Sequence, residues 1–293
     1  MNLHPSLLST LLQSKGLPLK KEVTAGVDGL GATILHRTAV RALDTGSGRH
    51  TLVFIPEPPN TIEHYRALAD SLAETHRVIV YDVPGFGFSY PTFAFDYSVE
   101  HQAEALVALL HRLKVRQATV FAPGLMAYAA MAAARQDPLL VERLVLLQSA
   151  SVPELRAWTG RMDAKGVLIR PWIGQLAAAF GKGHMFKHWY RSVQPEGADL
   201  SGFVDHAAWT LSLGAAFCLA STVQQLHACD PTFFEGSEVP IVAVWGDADR
   251  SYEGVDPRSI QEHAPQATVE VFEGVGHYPD LEATARLLAL LGL

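Results

Sequence analysis

The strongest constraint on how this chain can fold is a rhythm. Short, nearly continuous apolar runs recur, and each is followed by a segment with helical periodicity. Thr51–Ile55 precedes Thr61–Glu74, Arg77–Asp82 precedes Ser98–Leu113, and Ala118–Phe121 precedes Leu125–Arg135. Leu144–Leu147 is another such run. Much later the rhythm resumes with Ile241–Trp245, Pro257–His263, Val269–Phe272 and Leu281–Leu291. An apolar run without alternation is the mark of a strand buried on both faces. Strands alternating with helices build a mostly parallel sheet covered on both sides. Upstream, Glu22–Val27 and Thr33–Ala42 alternate apolar and polar residues around Gly29 and Gly31, which predicts an antiparallel hairpin. Ser98 is placed to cap the helix that it opens. The expected fold class is α/β, with a mostly parallel central sheet flanked by helices.

Residues 152–236 break the rhythm. They are rich in helix formers and aromatics and contain no convincing strand. This segment is expected to be a helical cap inserted into the sheet, dividing the chain into a core of 1–151 and 237–293 and a cap of 152–236. The inner face of the cap, with Trp189 and Trp209, is expected to close a mainly apolar pocket against Met126 and Pro58. With 293 residues, 48% of them hydrophobic, the chain can bury a large core. The net charge of −7, without long like-charge runs, argues against a nucleic-acid partner, which needs a basic stripe.

In a parallel sheet, functional groups collect beyond the carboxyl ends of the strands. Two such loops are specific. Asp249 lies in GDADR (246–250) after one strand, and His277 lies in EGVGHYPD (273–280) after the next. An aspartate and a histidine in that order can meet above the sheet, where the carboxylate fixes the imidazole tautomer and strengthens it as a base. Asp247 is an alternative acid, less well placed in its loop.

The segments DVPGFGFSYP (82–91), VFAPGLMAYAA (120–130), VPIVAVWGDADR (239–250) and VFEGVGHYPD (271–280) together resemble the α/β-hydrolase fold family, over nearly the whole chain. The resemblance implies that Asp249 is the family's acid and His277 its base. It also exposes departures. The family's strand-to-helix corner reads G-x-S-x-G and carries the nucleophilic serine; here it reads Ala122-Pro123-Gly124-Leu125-Met126, with Gly124 in the serine's place. No Ser or Cys occurs between Ser98 and Ser149. No Asp stands at the corner either, which excludes the variants with a carboxylate nucleophile. Met126 replaces the second motif glycine, so a relaxed turn is expected. Of the two oxyanion donors that the resemblance implies, Leu125 N–H is retained. The other maps to Pro58, which has no N–H, or with a one-residue shift to Glu57.

Other signals are weaker. His184 and His188 share a helical face but lack a third ligand, so no metal is expected; with His206 they are alternatively candidates for touching substrate. Ser149 lies near the expected cavity mouth. Cys218 and Cys229 fit neither a metal site nor a disulfide framework, and a reducing cytoplasm is expected. The start, MNLHPSLLSTLLQSKG, reads as a short amphipathic helix rather than a signal peptide. Apolar runs stop well short of a membrane span, and no membrane partner is expected.

The expected function is that of a cofactor-independent enzyme without a serine nucleophile. Its Asp249–His277 pair acts as general base on a small, largely apolar substrate, with Glu57 as a second acid/base or orienting group. Lyase, isomerase, cyclase and water-mediated hydrolase chemistry remain open. The alternative is a non-catalytic ligand-binding pseudo-hydrolase, and an ordinary serine esterase is disfavoured.

Overall fold

A computed structural model describes residues 30–35, 38–91, 95–163, 165–211 and 215–293; side chains at 30–39 and at 90, 182, 184, 186 and 209 lie outside that description. The expected N-terminal helix and the Glu22–Val27 strand fall outside the described residues.

The first two strands, β1 (Leu30–Leu35) and β2 (Thr38–Thr45), form an antiparallel hairpin. Expected as one strand, Thr33–Ala42 is instead divided between these two. Then follow β3 (Thr51–Phe54), α1 (Ile62–Leu72), β4 (Arg77–Tyr81), β5 (Tyr90–Pro91), α2 (Val99–Arg112), β6 (Ala118–Pro123), α3 (Met126–Gln136) and β7 (Val141–Leu147). Four helices come next: α4 (Val152–Met162), α5 (Ile173–Val193), α6 (Ser201–Thr210) and α7 (Ala216–Ala228). The chain closes with β8 (Ile241–Gly246), β9 (Thr268–Phe272), α8 (Pro279–Glu282) and α9 (Thr284–Leu291). Pro257–Glu262 is a 3-10 helix, and the expected closing helix is two, α8 and α9.

The sheet runs β1-β2-β4-β3-β6-β7-β8-β9, with β5 on β2. From β4 to β9 every pairing is parallel; β2 is antiparallel to β1, β4 and β5. Alternate strand residues feed two cores. Val53, Ile79, Val120 and Leu146 pack on the face that carries α2 and α3. Leu52, Val80, Phe121 and Leu147 pack on the face that carries α1 and α9. Burial on both faces is why these strands read as unbroken apolar runs. Between β7 and β8 the described residues contain no strand, only the four helices and a short 3-10 turn at Pro231–Phe233.

Local chemistry sets the helix starts. Ser98 Oγ accepts from His101 N at 3.3 Å to open α2, and Ser151 Oγ accepts from Glu154 N at 3.5 Å to open α4. His64 Nδ1 accepts from Thr61 N at 3.0 Å at the head of α1.

One charged network ties β2 to the loops above the sheet. Asp82, fully buried, accepts from Arg41 Nε at 2.6 Å, Ile62 N at 3.0 Å and Phe88 N at 2.8 Å. Arg41 also forks onto Glu63 at 2.7 and 2.9 Å. A Cβ on Gly87 would lie 2.2 Å from Asp82 Oδ2, so the turn needs glycine there. The DVPGFGFSYP segment thus serves this buried carboxylate, and bends as a glycine-rich turn.

Candidate active site

His277 stands in the loop between β9 and α8, and its backbone is held at several points. Its N–H donates to Val193 O, at the end of α5, at 2.9 Å. Glu282 accepts from Gly276 N at 2.7 Å and from Tyr278 N at 3.0 Å, clamping the loop on both sides of the histidine. Asp280 accepts from Tyr65 OH at 2.8 Å, tying α8 to α1.

The imidazole lies between two carboxylates. Nδ1 is 2.6 Å from Asp249 Oδ2, and Nε2 is hydrogen-bonded to Glu57 Oε2. Asp249 is fixed in turn by Gln148 Nε2 at 3.0 Å, Ser251 N at 2.9 Å and Ser251 Oγ at 2.7 Å. Gln148 completes the brace by accepting from Gly246 N at 2.6 Å. Asp247, the alternative acid, accepts instead from Gly274 N at 2.7 Å. The rings of Trp189, Tyr252 and Tyr278 surround the imidazole at centroid distances of 5.3, 5.5 and 5.0 Å.

Electrostatics follow from this arrangement. Burial pulls the His277 pKa down, but the charges of Glu57 and Asp249 and their hydrogen bonds outweigh it and raise the pKa from 6.5 to about 10. His277 is therefore an imidazolium at neutral pH. Burial pushes Asp249 up, while His277, Gln148 and Ser251 more than offset this and hold it below its ordinary value.

The corner resolves differently from expectation. Gly124 has φ +47°, so the sharp left-handed turn persists and is not relaxed. A Cβ built on Gly124 would lie 2.0 Å from Glu57 Oε1 and 3.0 Å from its carboxyl carbon. The carboxylate of Glu57 fills the space that a side chain at the corner would occupy. A carboxylate thus stands beside the corner although none is in it: the group arrives from the loop after β3. It lies at the corner that leads into the N-terminal end of α3, where the helix dipole favours an anion. The Leu125 N–H has no acceptor among the described residues.

Above the trio is a cavity of about 220 Å3, lined by side chains of both core and cap. Glu57, Pro58, Leu125, Met126 and Trp189 are on its wall, as are Leu155, Trp158 and Tyr252, which the sequence reading missed. Trp209's side chain lies outside the described residues. His277 is not on the wall. It is fully buried, whereas the Glu57 side chain is 14% exposed. The expectation that His277 meets substrate directly is corrected on this ground: its Nε2 is covered by Glu57. Ser149 Oγ donates to Leu147 O at 2.9 Å rather than to the histidine. Gln148 was visible in the loop after β7, but only the fold shows what it braces.

His188 reaches the cavity wall, while His184's side chain is outside the described residues. Among the described residues, no group of three His, Cys, Asp or Glu is arranged to hold a metal. Cys218 and Cys229 are in no disulfide among the described residues, Cys218 Sγ lies 3.2 Å from Tyr97 OH, and burial raises both thiols to about 12. No helix among the described residues is long and apolar enough to cross a membrane.

Comparison with known proteins agrees with this architecture. The uncharacterized hydrolase YugF of Bacillus subtilis (strain 168) is 29% identical over 103 residues, 35% of this chain and 38% of that protein. The uncharacterized protein Rv2715 of Mycobacterium tuberculosis H37Rv is 26% identical over 239 residues, 75% of this chain and 67% of that one. Among solved structures, a Salmonella enterica protein proposed as an acyltransferase superposes with TM-score 0.76 at 18% identity, covering 92% of this chain and 96% of that one. A Pseudomonas aeruginosa protein proposed as an epoxide hydrolase gives 0.72 at 19%, covering 92% and 96%. At such identities these likenesses establish the fold alone. The family model of the alpha/beta hydrolase fold matches residues 51–284, and the chain belongs to that family.

Proposed function

We propose that this protein is a cofactor-independent acid–base enzyme acting on a small, largely apolar substrate, with Glu57 as the group that exchanges a proton with it. The observation that carries this reading is the Glu57 carboxylate. It fills the space beside Gly124, bonds His277 Nε2, and alone of the trio lines the cavity. Glu57 Oε1 takes a proton from the substrate and returns it at another atom, as an isomerase or lyase requires. His277, held as imidazolium by Asp249, keeps Glu57 oriented and balances its charge.

The test is hydrogen exchange from small apolar ketones in heavy water. Glu57→Gln is expected to lower exchange by at least about 100-fold with the fold intact. Equal exchange by the variant overturns the proposal. Ligand binding without turnover by the wild type favours a binding protein instead. Covalent labelling by a serine-directed phosphonate would reopen esterase chemistry.

A second reading rests on the same carboxylate. At the corner, Glu57 Oε1 is placed to attack an electrophilic carbon such as that of an epoxide. The C–O bond of the ring breaks as the ester forms; esterification frees His277 Nε2 from the Glu57 carboxylate, and it gives its proton to the leaving alkoxide. Water then hydrolyses the ester with the neutral imidazole as base. Solvent oxygen-18 appearing in Glu57 after a single turnover distinguishes this reading from proton transfer.

A further inference from the structure

The outer face of the cap carries an apolar patch that no described element covers. On α5, Ile173, Leu176 and Phe180 are spaced to share one helix face, and they are 53%, 50% and 87% exposed. Ile169 and Trp172, just before the helix, and Met162, at the end of α4, are exposed as well. The opposite face of α5 is engaged: Gln175 donates to Ser221 Oγ at 3.1 Å and to Gln224 Oε1 at 2.9 Å on α7. The exposed face is therefore not a helix waiting for its own core.

The charge around it is segregated. Between Glu154 and Glu196 the sequence holds seven Lys and Arg and a single acidic residue, Asp163, in a chain of net charge −7. Arg161, Lys165 and Arg170 are exposed in the stretch that leads into the apolar face. The patch also adjoins the cavity, since Met162, Asp163 and Leu168 line it.

We propose that this face of the cap docks on an anionic lipid surface. Apolar side chains flanked by Lys and Arg are the chemistry of an interfacial contact, in which the apolar groups enter the headgroup–acyl boundary and the cations meet lipid phosphates. A second copy of the chain fits less well, because a symmetric contact would bring the same basic flanks together. The short apolar runs that argue against a membrane span do not bear on a surface contact. The contact places the apolar cavity beside a source of apolar molecules.

The test uses the full chain with phosphatidylcholine–phosphatidylglycerol vesicles, and pure phosphatidylcholine vesicles as control. Co-sedimentation is expected with the anionic vesicles and is expected to weaken with salt. Replacing Arg161, Lys165 and Arg170 by Gln should weaken it on the order of 100-fold. The triple change Ile173→Ser, Leu176→Ser, Phe180→Ser should lose it, and the single change Phe180→Ser should weaken it if the triple variant does not fold. All these side chains face solvent, so an unchanged thermal melt is the accompanying control. No association with the anionic vesicles overturns the proposal, as does association that the apolar changes leave intact. A dimer that the same apolar changes dissolve, with no vesicle binding, assigns the patch to a second copy and overturns it as well.

Discussion

Glu57 and Gly124 form a mutually dependent pair. A residue with a Cβ at position 124 collides with the Glu57 carboxylate, and φ +47° disfavours it independently. Gly124→Ser, which restores the missing hydroxyl on paper, is therefore expected to destabilise the protein by about 1–3 kcal/mol and to yield no serine esterase. Urea unfolding and phosphonate labelling check both halves; a stable, labelled variant contradicts the account. The sequence makes the absence of the nucleophile legible, because no Ser or Cys lies anywhere near the corner. It does not reveal what replaces it. The loop after β3 and the corner after β6 meet only through the pairing of those two strands. The prolines of that loop mark lost backbone donors, and in the sequence Glu57 reads only as a second acid/base or orienting group.

At the scale of elements, the strands and helices of the repeating pattern are legible because burial on both faces leaves an unbroken apolar run. Boundaries follow turn chemistry and are less so. Gly29 and Gly31 draw the expected hairpin turn too early, while the two strands part between Leu35 and Thr38. Least legible are contacts between distant elements. Asp82 holds β2, the start of α1 and the glycine-rich loop through Arg41 Nε, Ile62 N and Phe88 N. Asp82→Ala leaves Arg41 Nε and two backbone donors buried without their acceptor, although Glu63 still holds the rest of the guanidinium, and is expected to cost about 3 kcal/mol. Urea unfolding measures it; a loss below about 1 kcal/mol, the value of an exposed pair, contradicts the role given to Asp82.

For the whole molecule, the buried trio couples stability to pH. His277 has its pKa raised on folding, so its contribution is fully present below the unfolded value of 6.5 and is lost as pH rises toward about 10. The wild type is expected to lose stability across that window, and Glu57→Gln to lose less, since it removes the first of the two charges that raise the pKa. Urea midpoints for both proteins across the window test this; parallel curves contradict it. The central claim is that Glu57 has taken the place of a nucleophile as the partner of His277 and as the group that meets the ligand. The most direct measurement is a titration of the His277 imidazole by nitrogen-15 NMR in the wild type and in Glu57→Gln. The ring is expected to be protonated on both nitrogens through neutral pH and to lose its proton near pH 10, with a clearly lower pKa in the variant. A His277 that titrates near 6.5 and is indifferent to the change at Glu57 contradicts it.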